Sequence, residues 1–246
     1  GLGLDVVSSA LIAESMGRGA SFATTFGAHA GIGTLPIVYF GTEEQKKKFL
    51  EPTIRGEQTS CFSMTEPDNP GSDPRSLQTM AVRDGDEWVI NGRKGFTSNG
   101  QNASWALVMC RTEEDDGSGG VNEKMTQIIV PTDTPGFNIE RSVPVWGHIG
   151  GSHCEITYKD VRVPLDNQLG SRGSGHAAAQ DRLGAGRVYH CMNCVGQMWR
   201  AFDLMVKRAT ERQVHGGMLQ DKQFIQGFIA DSYMDIQASR LMTINC

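Results

Sequence analysis

The sequence lacks any apolar run near the roughly 20 residues that cross a membrane, so no membrane span is predicted. It begins at Gly1 without the basic and apolar regions of a signal peptide, and none is predicted. Basic residues are scarce, because Lys and Arg total 23 against 28 Asp and Glu, for a net charge of -5. This balance argues against a non-specific nucleic-acid binder, which needs a basic surface. An anionic ligand would therefore be held by a few placed arginines and by backbone N–H groups.

Cysteine is sparse and irregularly spaced, with 6 residues in 246, which excludes the dense framework of a disulfide scaffold. Cys191 and Cys194 form a CxxC beside His190, a spacing that can serve zinc or redox chemistry. The motif lies within helical periodicity, however, and no second ligand pair stands nearby in the sequence. Buried small apolar side chains are the favoured interpretation, and no metal site is predicted.

The remaining composition is that of an ordinary globular chain, with 39% hydrophobic and 21% charged residues. Helical periodicity over 1–56 gives way to short alternating runs over 57–169, and helical periodicity returns over 170–246. The sequence therefore predicts an α+β fold with an N-terminal helical domain, a central β-barrel or sandwich domain and a C-terminal helical bundle. A single alternating βα pattern is absent, which argues against a Rossmann domain.

Local signals predict where several elements begin and end. Asp5 is the expected cap of the first helix. Thr42 and Gln45 have the spacing of a capping box, which starts a second helical stretch. Pro52 is expected to end or kink that helix near Glu51, because proline lacks the N–H group of a continuing helix.

Turn signals organise the β region and the end of the chain. Asp84-Gly85 predicts a β-hairpin, whereas the polar, glycine-rich stretch 113–124 (EEDDGSGGVNEK) is predicted to be an exposed loop. The last helix is expected from about Asp221 and is still running at Cys246, so we expect a fragment with partial terminal domains. An incomplete bundle exposes apolar helix faces, and such a fragment is expected to fold poorly alone.

Two segments carry the strongest functional signal. Residues 61–73 read CFSMTEPDNPGSD, and residues 91–100 read NGRKGFTSNG. Each puts small hydroxyl side chains and exposed backbone beside a turn at the end of an apolar stretch. Such a place can hydrogen-bond the edge of a planar polar ring and its phosphates.

Together these segments resemble the two flavin-contacting segments of acyl-CoA dehydrogenases. Further motifs fall in the order of that family, namely GLGLD at the start, FGTEEQKKKFL at 40–50, YKDVRVP at 158–164 and DRLGAGRVYHCM at 181–192. The likeness covers nearly the whole chain and favours the branch with the RLGAGRVYHCM helix. It implies a middle β domain between helical domains, with FAD between the middle domain and a C-terminal four-helix bundle.

The resemblance implies roles for residues around the flavin. Phe62, Met64 and Thr65 belong to the first cofactor-binding segment, with the Thr65 hydroxyl group at the flavin ring. In the second segment Ser98 replaces the usual threonine, and its hydroxyl group can still form a hydrogen bond. Phe96 replaces a common tryptophan and would stack with less area. Without the resemblance, Thr65 and Ser98 are ordinary turn residues and Phe96 is a core residue.

Other implied roles concern the phosphates, the substrate and the assembly. Arg212 and Gln223 match residues that reach the FAD of a neighbouring subunit, so the resemblance implies a homodimer or homotetramer; alone, Arg212 is a helix-end cation. Ser72 and Arg182 match substrate-side residues. The TEPDNPGSD turn is one residue longer than the usual one, which puts the position of Ser72 in question.

The catalytic base is the weakest match. In most of the family a glutamate in the later part of the bundle, beyond Cys246, removes the proton. A minority places the base just before the substrate-side arginine, and here that position is Asp181. Read as sequence alone, Asp181 is more readily the N-cap of the following helix.

The resemblance implies an enzyme that removes hydrogen from the α and β carbons of an acyl-CoA thioester, with FAD as hydride acceptor and no metal. An electron-transfer flavoprotein or a similar protein would take the electrons. The implied location is the cytoplasm, or the mitochondrial matrix in a eukaryote. Two alternatives stay open, a flavin-dependent monooxygenase on the same scaffold and a non-catalytic subunit of a heteromeric dehydrogenase.

Overall fold

The structure, a computed structural model, describes residues 3–19, 21–70, 73, 76–115, 121–146 and 153–246. Its α-helices are Val6–Gly17 (α1), Ser21–Phe26 (α2), Leu35–Phe40 (α3), Glu43–Gln45 (α4), Glu51–Ile54 (α5), Gly175–Glu211 (α6) and Gln223–Ile244 (α7). Gly27–Thr34 and Lys46–Leu50 are π-helical. The strands are Ser60–Ser63 (β1), Met80–Asp84 (β2), Glu87–Ser98 (β3), Trp105–Asp115 (β4), Val121–Pro131 (β5), Phe137–Ser142 (β6), His153–Pro164 (β7), Gln168–Leu169 (β8), Gln213–Val214 (β9) and Gly217–Met218 (β10). The predicted α+β class is confirmed.

The chain divides into two compact units, which we call the larger and the smaller unit. The larger unit is Thr24–Leu183, and the smaller unit is Gly1–Ala23 with Gly184–Cys246. The division into domains 1–56, 57–169 and 170–246 stays a prediction. No helix in the described part of the chain is both long and apolar enough to span a bilayer.

The larger unit contains one 8-stranded sheet, in the order β6-β7-β3-β2-β4-β5-β8, with β1 paired parallel to β4. Strand β4 is apolar on both faces, as expected for a strand covered on two sides. Ala106 and Val108 enter one buried cluster with residues of β3 and β7. Trp105 and Leu107 belong to a second buried cluster, which also contains Ile37 of helix α3. The main core therefore lies on both sides of β4.

The hairpin predicted at Asp84-Gly85 is confirmed. Strands β2 and β3 pair up to Asp84 opposite Glu87, and Gly85 has a φ of +60°, the left-handed backbone that glycine adopts without strain. The turn therefore positions β3, which carries the second functional segment.

The prediction of an exposed loop over 113–124 is wrong at both ends of that range. Strands β4 and β5 continue through it until Asp115 pairs with Val121. An ion pair between Arg111 and Glu123 lies diagonally across this ladder, and opposite charges on neighbouring strands stabilise their pairing. Residues 116–120 of the predicted loop lie outside the described residues.

The helix starts follow their local signals. Asp5 caps α1 by accepting a 2.6 Å hydrogen bond from the Ser8 N–H group. The capping box is confirmed in both directions, from the Gln45 N–H group to the Thr42 hydroxyl and from the Thr42 N–H group to the Gln45 side chain. The Gln45 amide also donates to the carbonyl oxygens of residues 166 and 168, at 2.7 and 2.8 Å.

The helix does not end near Glu51, one of the two outcomes predicted for Pro52, but its winding changes there. Helical structure continues through Pro52 to Ile54. The preceding turns, Lys46–Leu50, are π-helical, and Pro52 stands in the first turn of α5. The first turn of a helix does not need the N–H group that proline lacks, so the change of winding accommodates it.

In the smaller unit, α1 and α6 approach at their glycines. A Cβ atom on Gly196 would overlap the Glu14 carbonyl oxygen atom and lie 3.0 Å from the Gly17 Cα atom. Ion pairs flank this crossing, with the Arg18 and Asp203 side chains 2.7 Å apart and the Arg240 and Glu14 side chains 2.9 Å apart. The absence of side chains at the two glycines is what allows the backbones to come this close.

Helix α7 runs to Ile244, with Asn245 as its C-cap. Its surface is rich in exposed apolar side chains, including Phe224, 83% exposed, and Met242, 71% exposed. Apolar side chains of this helix are therefore in contact with solvent in the structure.

The cysteines divide into two groups. Cys61, Cys110 and Cys154 are buried, and burial raises the pKa of Cys110 to about 12. Cys191, Cys194 and Cys246 are exposed, so the prediction that the CxxC pair at 191 and 194 is buried is wrong. They lie on or just after the outer surfaces of α6 and α7. Within the described ranges, no group of three His, Cys, Asp or Glu side chains could hold a metal ion.

Candidate functional site

The two segments that the sequence singles out lie side by side in the larger unit. The chain leaves β1 at Ser63 and passes through Met64 and Thr65. The Met64 carbonyl oxygen atom accepts a hydrogen bond from the Lys94 Nζ atom at 2.8 Å. The Thr65 carbonyl oxygen atom accepts one from the Gly95 N–H group at 2.7 Å. Backbone of the first segment is thus bonded directly to strand β3 of the second.

Beneath this contact lies a buried ion pair that the sequence reasoning missed. The Lys94 side chain is fully buried and lies 3.0 Å from the carboxylate of Glu66, which is 5% exposed. Burial favours the neutral carboxyl group, but the Lys94 ammonium and hydrogen bonds from Thr79 and Gln78 outweigh it and lower the pKa of Glu66. A signal was present, because strand alternation from Trp88 and Ile90 predicts that Lys94 also points inward.

Glu66 is satisfied by more than the lysine. Its two oxygen atoms also accept hydrogen bonds from the Thr79 N–H group (2.8 Å), the Thr79 hydroxyl group (2.6 Å), the Gln78 N–H group (2.7 Å) and the Asn69 side chain (2.6 Å). The carboxylate therefore joins three stretches of chain, the turn after β1, the entry to β2, and β3. Buried charges persist when they are paired and hydrogen-bonded in this way.

A chain of hydroxyl groups lies under the same two segments. The Tyr158 hydroxyl group donates to the Ser63 Oγ atom at 3.0 Å, and Ser63 is 3.0 Å from the Thr97 hydroxyl group. All three residues are buried, and burial raises the pKa of Tyr158 well above its ordinary value. The chain links β7, β1 and β3 immediately before Met64 and Ser98, a second support that the sequence reasoning missed.

Phe96 points out of the sheet at a bulge. The register between β3 and β7 shifts between Lys94 and Thr97, and Phe96 has a φ of +53°, which is strained for a residue with a side chain. Its side chain is 58% exposed. The interpretation of Phe96 as a core residue is therefore wrong, and its ring is available to a planar ligand.

The hydroxyl groups of Ser98 and Thr65 have different surroundings. The Ser98 Oγ atom lies 2.8 Å from the His153 Nδ1 atom and is already engaged. The half-buried Thr65 hydroxyl group forms no hydrogen bond with any other described residue. Phe62 is half-buried against two hydrophobic clusters, which is a packing position. Of the predicted residues in these two segments, Thr65 has an unpaired hydroxyl group among the described residues, and Phe96 has an exposed ring whose centroid lies 6.4 Å from that of the His153 ring.

Arg212 and Gln223 lie in the smaller unit, on either side of the small β9–β10 hairpin. Both side chains are exposed. The Arg212 carbonyl oxygen atom accepts a 2.8 Å hydrogen bond from the Leu219 N–H group, which closes the hairpin. Within the described residues the Arg212 guanidinium group has no hydrogen-bond partner, so it is available to an anion.

The three remaining predicted residues are Asp181, Ser72 and Arg182. Asp181 is exposed and lies inside α6, which begins at Gly175. The interpretation of Asp181 as an N-cap is therefore wrong, because helical structure begins before the glycine-containing LGAGR sequence and continues through it. Ser72 lies outside the described residues, as does the side chain of Arg182.

A separate groove of about 760 Å³ opens on the larger unit. Its lining includes Lys48, Arg83, Trp88 and Arg172. None of the predicted site residues lines it, so its volume has no bearing on the two functional segments.

Comparison with known families matches the chain in three consecutive parts. Residues 1–57 match the N-terminal domain of acyl-CoA dehydrogenase, residues 61–161 the middle domain and residues 173–246 the C-terminal domain.

Individual relatives agree with this. The chain is 43% identical over 214 residues to the probable acyl-CoA dehydrogenase FadE2 of Mycobacterium tuberculosis, covering 85% of the chain and 52% of the relative. It is 36% identical over 246 residues to acyl-CoA dehydrogenase family member 11 of Gallus gallus, covering 98% of the chain and 32% of the relative. The chain thus spans about a third to a half of these relatives.

A solved structure gives the same result for the fold. The acyl-CoA dehydrogenase of Bacillus anthracis complexed with FAD superimposes with a TM-score of 0.89 at 34% identity. The match covers 99% of this chain and 41% of that one.

Proposed function

The chain belongs to the acyl-CoA dehydrogenase family, and from this premise we propose that it forms part of an FAD-dependent enzyme that dehydrogenates acyl-CoA thioesters between their α and β carbons. The observation that carries the proposal is the direct bonding of the turn at Met64 and Thr65 to strand β3 beside the exposed ring of Phe96. Hydrogen-bonding groups and an aromatic face then converge at one place in the larger unit.

The residues present fit a flavin. The Thr65 hydroxyl group lacks a partner in the described structure and can bond the polar edge of the ring. Phe96 holds an apolar ring outward, as stacking on a planar ligand requires. The exposed guanidinium group of Arg212 suits a pyrophosphate, and we propose that it serves the FAD of a neighbouring subunit.

In the proposed reaction, bound FAD supplies the acceptor for the β-hydrogen, which leaves as a hydride. The protein's task is to hold the substrate and to remove the α-proton with a carboxylate. Asp181 is the candidate carboxylate in this chain, and Arg182 and Ser72 stay proposed substrate contacts. Thr65 and Phe96 orient the ring, and Ser98, held by His153, stays a proposed contact.

Anaerobic titration tests the proposal. We expect the full-length protein, loaded with FAD, to lose its visible flavin absorption when acyl-CoA of short, medium or long chain is added without oxygen. The Asp181→Asn variant should still bind FAD and acyl-CoA but should not bleach. An unaltered protein that binds FAD yet keeps its absorption with every chain length would contradict the dehydrogenase.

The two alternative functions give other results in the same samples. A monooxygenase would turn over only with oxygen and a flavin reductase. A non-catalytic subunit would be colourless alone and would retain flavin only when mixed with its partner chain. We propose an electron-transfer flavoprotein as the acceptor and a homo-oligomer as the assembly, which the rate of reduction of that acceptor and the mass in solution would test.

A further inference from the structure

The turn that contains Met64 and Thr65 has two direct bonds to strand β3. One is the backbone bond from Gly95 to the Thr65 carbonyl oxygen atom. The other comes from the buried ammonium group of Lys94, which donates to the Met64 carbonyl oxygen atom at 2.8 Å and to Glu66 at 3.0 Å. Lys94 therefore forms hydrogen bonds with the residues on both sides of Thr65.

Burying the ion pair of Lys94 and Glu66 costs more desolvation free energy than burying two uncharged side chains. A buried ammonium group must give up its hydration, and apolar residues of similar volume often replace a buried ion pair without loss of stability. Lys94 is fully buried, and one of its hydrogen bonds goes to a backbone carbonyl group of the turn. A charged donor makes a shorter and stronger hydrogen bond to such a group than a neutral donor does.

We propose that Lys94, held by Glu66, is a positioning residue for the flavin-contacting turn. By fixing the Met64 carbonyl group it sets where the Thr65 hydroxyl and backbone groups meet the ring. This inference rests on the proposed function, because it assigns the turn to the flavin.

The network around Glu66 explains how the position is held. Glu66 is tied to Thr79 and Gln78 at the entry to β2, and Asn69 ties the rest of the turn to the same carboxylate. Without Lys94, the Met64 carbonyl group would lose its charged donor while Thr65 kept its bond from Gly95. The turn would keep the Gly95 bond and the other hydrogen bonds of Glu66, but nothing would fix the direction of the Met64 carbonyl group.

The test compares FAD binding in full-length apoprotein variants by fluorescence titration. Lys94→Met alone leaves Glu66 unpaired, so the main variant is the double exchange Lys94→Met with Glu66→Gln, which leaves no unpaired charge. We expect it to fold cooperatively and to bind FAD about 10- to 100-fold more weakly, the effect of losing a hydrogen bond to a charged group. The bound flavin should also show a shifted visible band and an altered reduction potential.

A matched control separates this effect from general loss of stability. Gln45→Met removes three side-chain hydrogen bonds that do not involve the turn, two donated to the carbonyl oxygen atoms of residues 166 and 168 and one accepted from the Thr42 N–H group. We expect its FAD affinity and flavin spectrum to equal those of the unaltered protein. Equal affinity and an unchanged spectrum in the double variant would overturn the positioning role. The role would also be overturned if the FAD affinity of the variants followed only their stability.

The outcomes also separate this inference from the proposed function. If the unaltered protein binds no FAD, the proposed function itself fails. If the unaltered protein binds FAD and is bleached by acyl-CoA while the double variant binds FAD as tightly, only the role of Lys94 fails.

Discussion

Lys94→Met is expected to lower the free energy of unfolding of the larger unit by about 3–5 kcal/mol, because it removes one partner of a buried ion pair. The carboxylate of Glu66, 5% exposed, would stay in the interior without its ammonium group. Urea unfolding followed by tryptophan fluorescence measures the change, since Trp88 and Trp105 are buried in this unit.

The same exchange at an exposed lysine is the control. Lys47 lies on the exposed side of the helical segment Lys46–Leu50, and Lys47→Met should change the free energy of unfolding by no more than about 0.5 kcal/mol. If both variants unfolded at the same urea concentration, Lys94 would not be part of a buried pair.

The free energy of unfolding that Lys94→Met removes should also depend on pH. The pKa of Glu66 is lowered in the folded protein, so its ionised form stabilises the fold above the unfolded pKa, and this stabilisation is lost as the pH falls through the folded pKa. A protonated Glu66 needs no ammonium partner. The difference between Lys94→Met and the unaltered protein should therefore be largest near neutral pH and should shrink below about pH 4.3.

Gly196→Ala is expected to destabilise the smaller unit by about 1–3 kcal/mol, the cost of overpacking a closely packed contact. The new Cβ atom would overlap the Glu14 carbonyl oxygen atom and lie 3.0 Å from the Gly17 Cα atom. Both are backbone atoms, so no side chain can move aside and the crossing of α1 and α6 must open. Thermal unfolding followed by circular dichroism measures the loss.

Gly227→Ala should have the opposite sign. Gly227 lies inside α7, and a Cβ atom there would meet nothing within 4 Å. Alanine restricts the unfolded chain and favours the helix, which should stabilise the protein by about 0.4–1 kcal/mol. Equal effects of the two exchanges would mean that the close approach of α1 and α6 is absent.

The sequence was sufficient where a signal acts over a few residues. The capping box at Thr42 and Gln45 and the hairpin at Asp84-Gly85 formed as predicted, since each depends on its own hydrogen bonds or backbone conformation. The signals failed where distant strands decide the outcome. Polar residues of 113–124 joined β4 and β5 because the ladder between these strands continued.

The candidate site shows the same limit within a single strand. Alternation from Trp88 and Ile90 places both Lys94 and Phe96 on the inner face of β3. Lys94 follows that rule, but the register shift between Lys94 and Thr97 turns Phe96 outward. The bulge arises from pairing with β7, a strand some 60 residues later in the chain, and no pattern in residues 87–98 reveals it.

The left-handed backbone at Phe96 has a consequence for engineering the protein. Glycine adopts that conformation without strain, so a selection for thermal tolerance alone would favour glycine at position 96. Glycine would also remove the outward-facing ring. Thermal stability therefore favours glycine at position 96, whereas contact with a flat ligand favours phenylalanine. A thermostabilised variant should be checked at this position first.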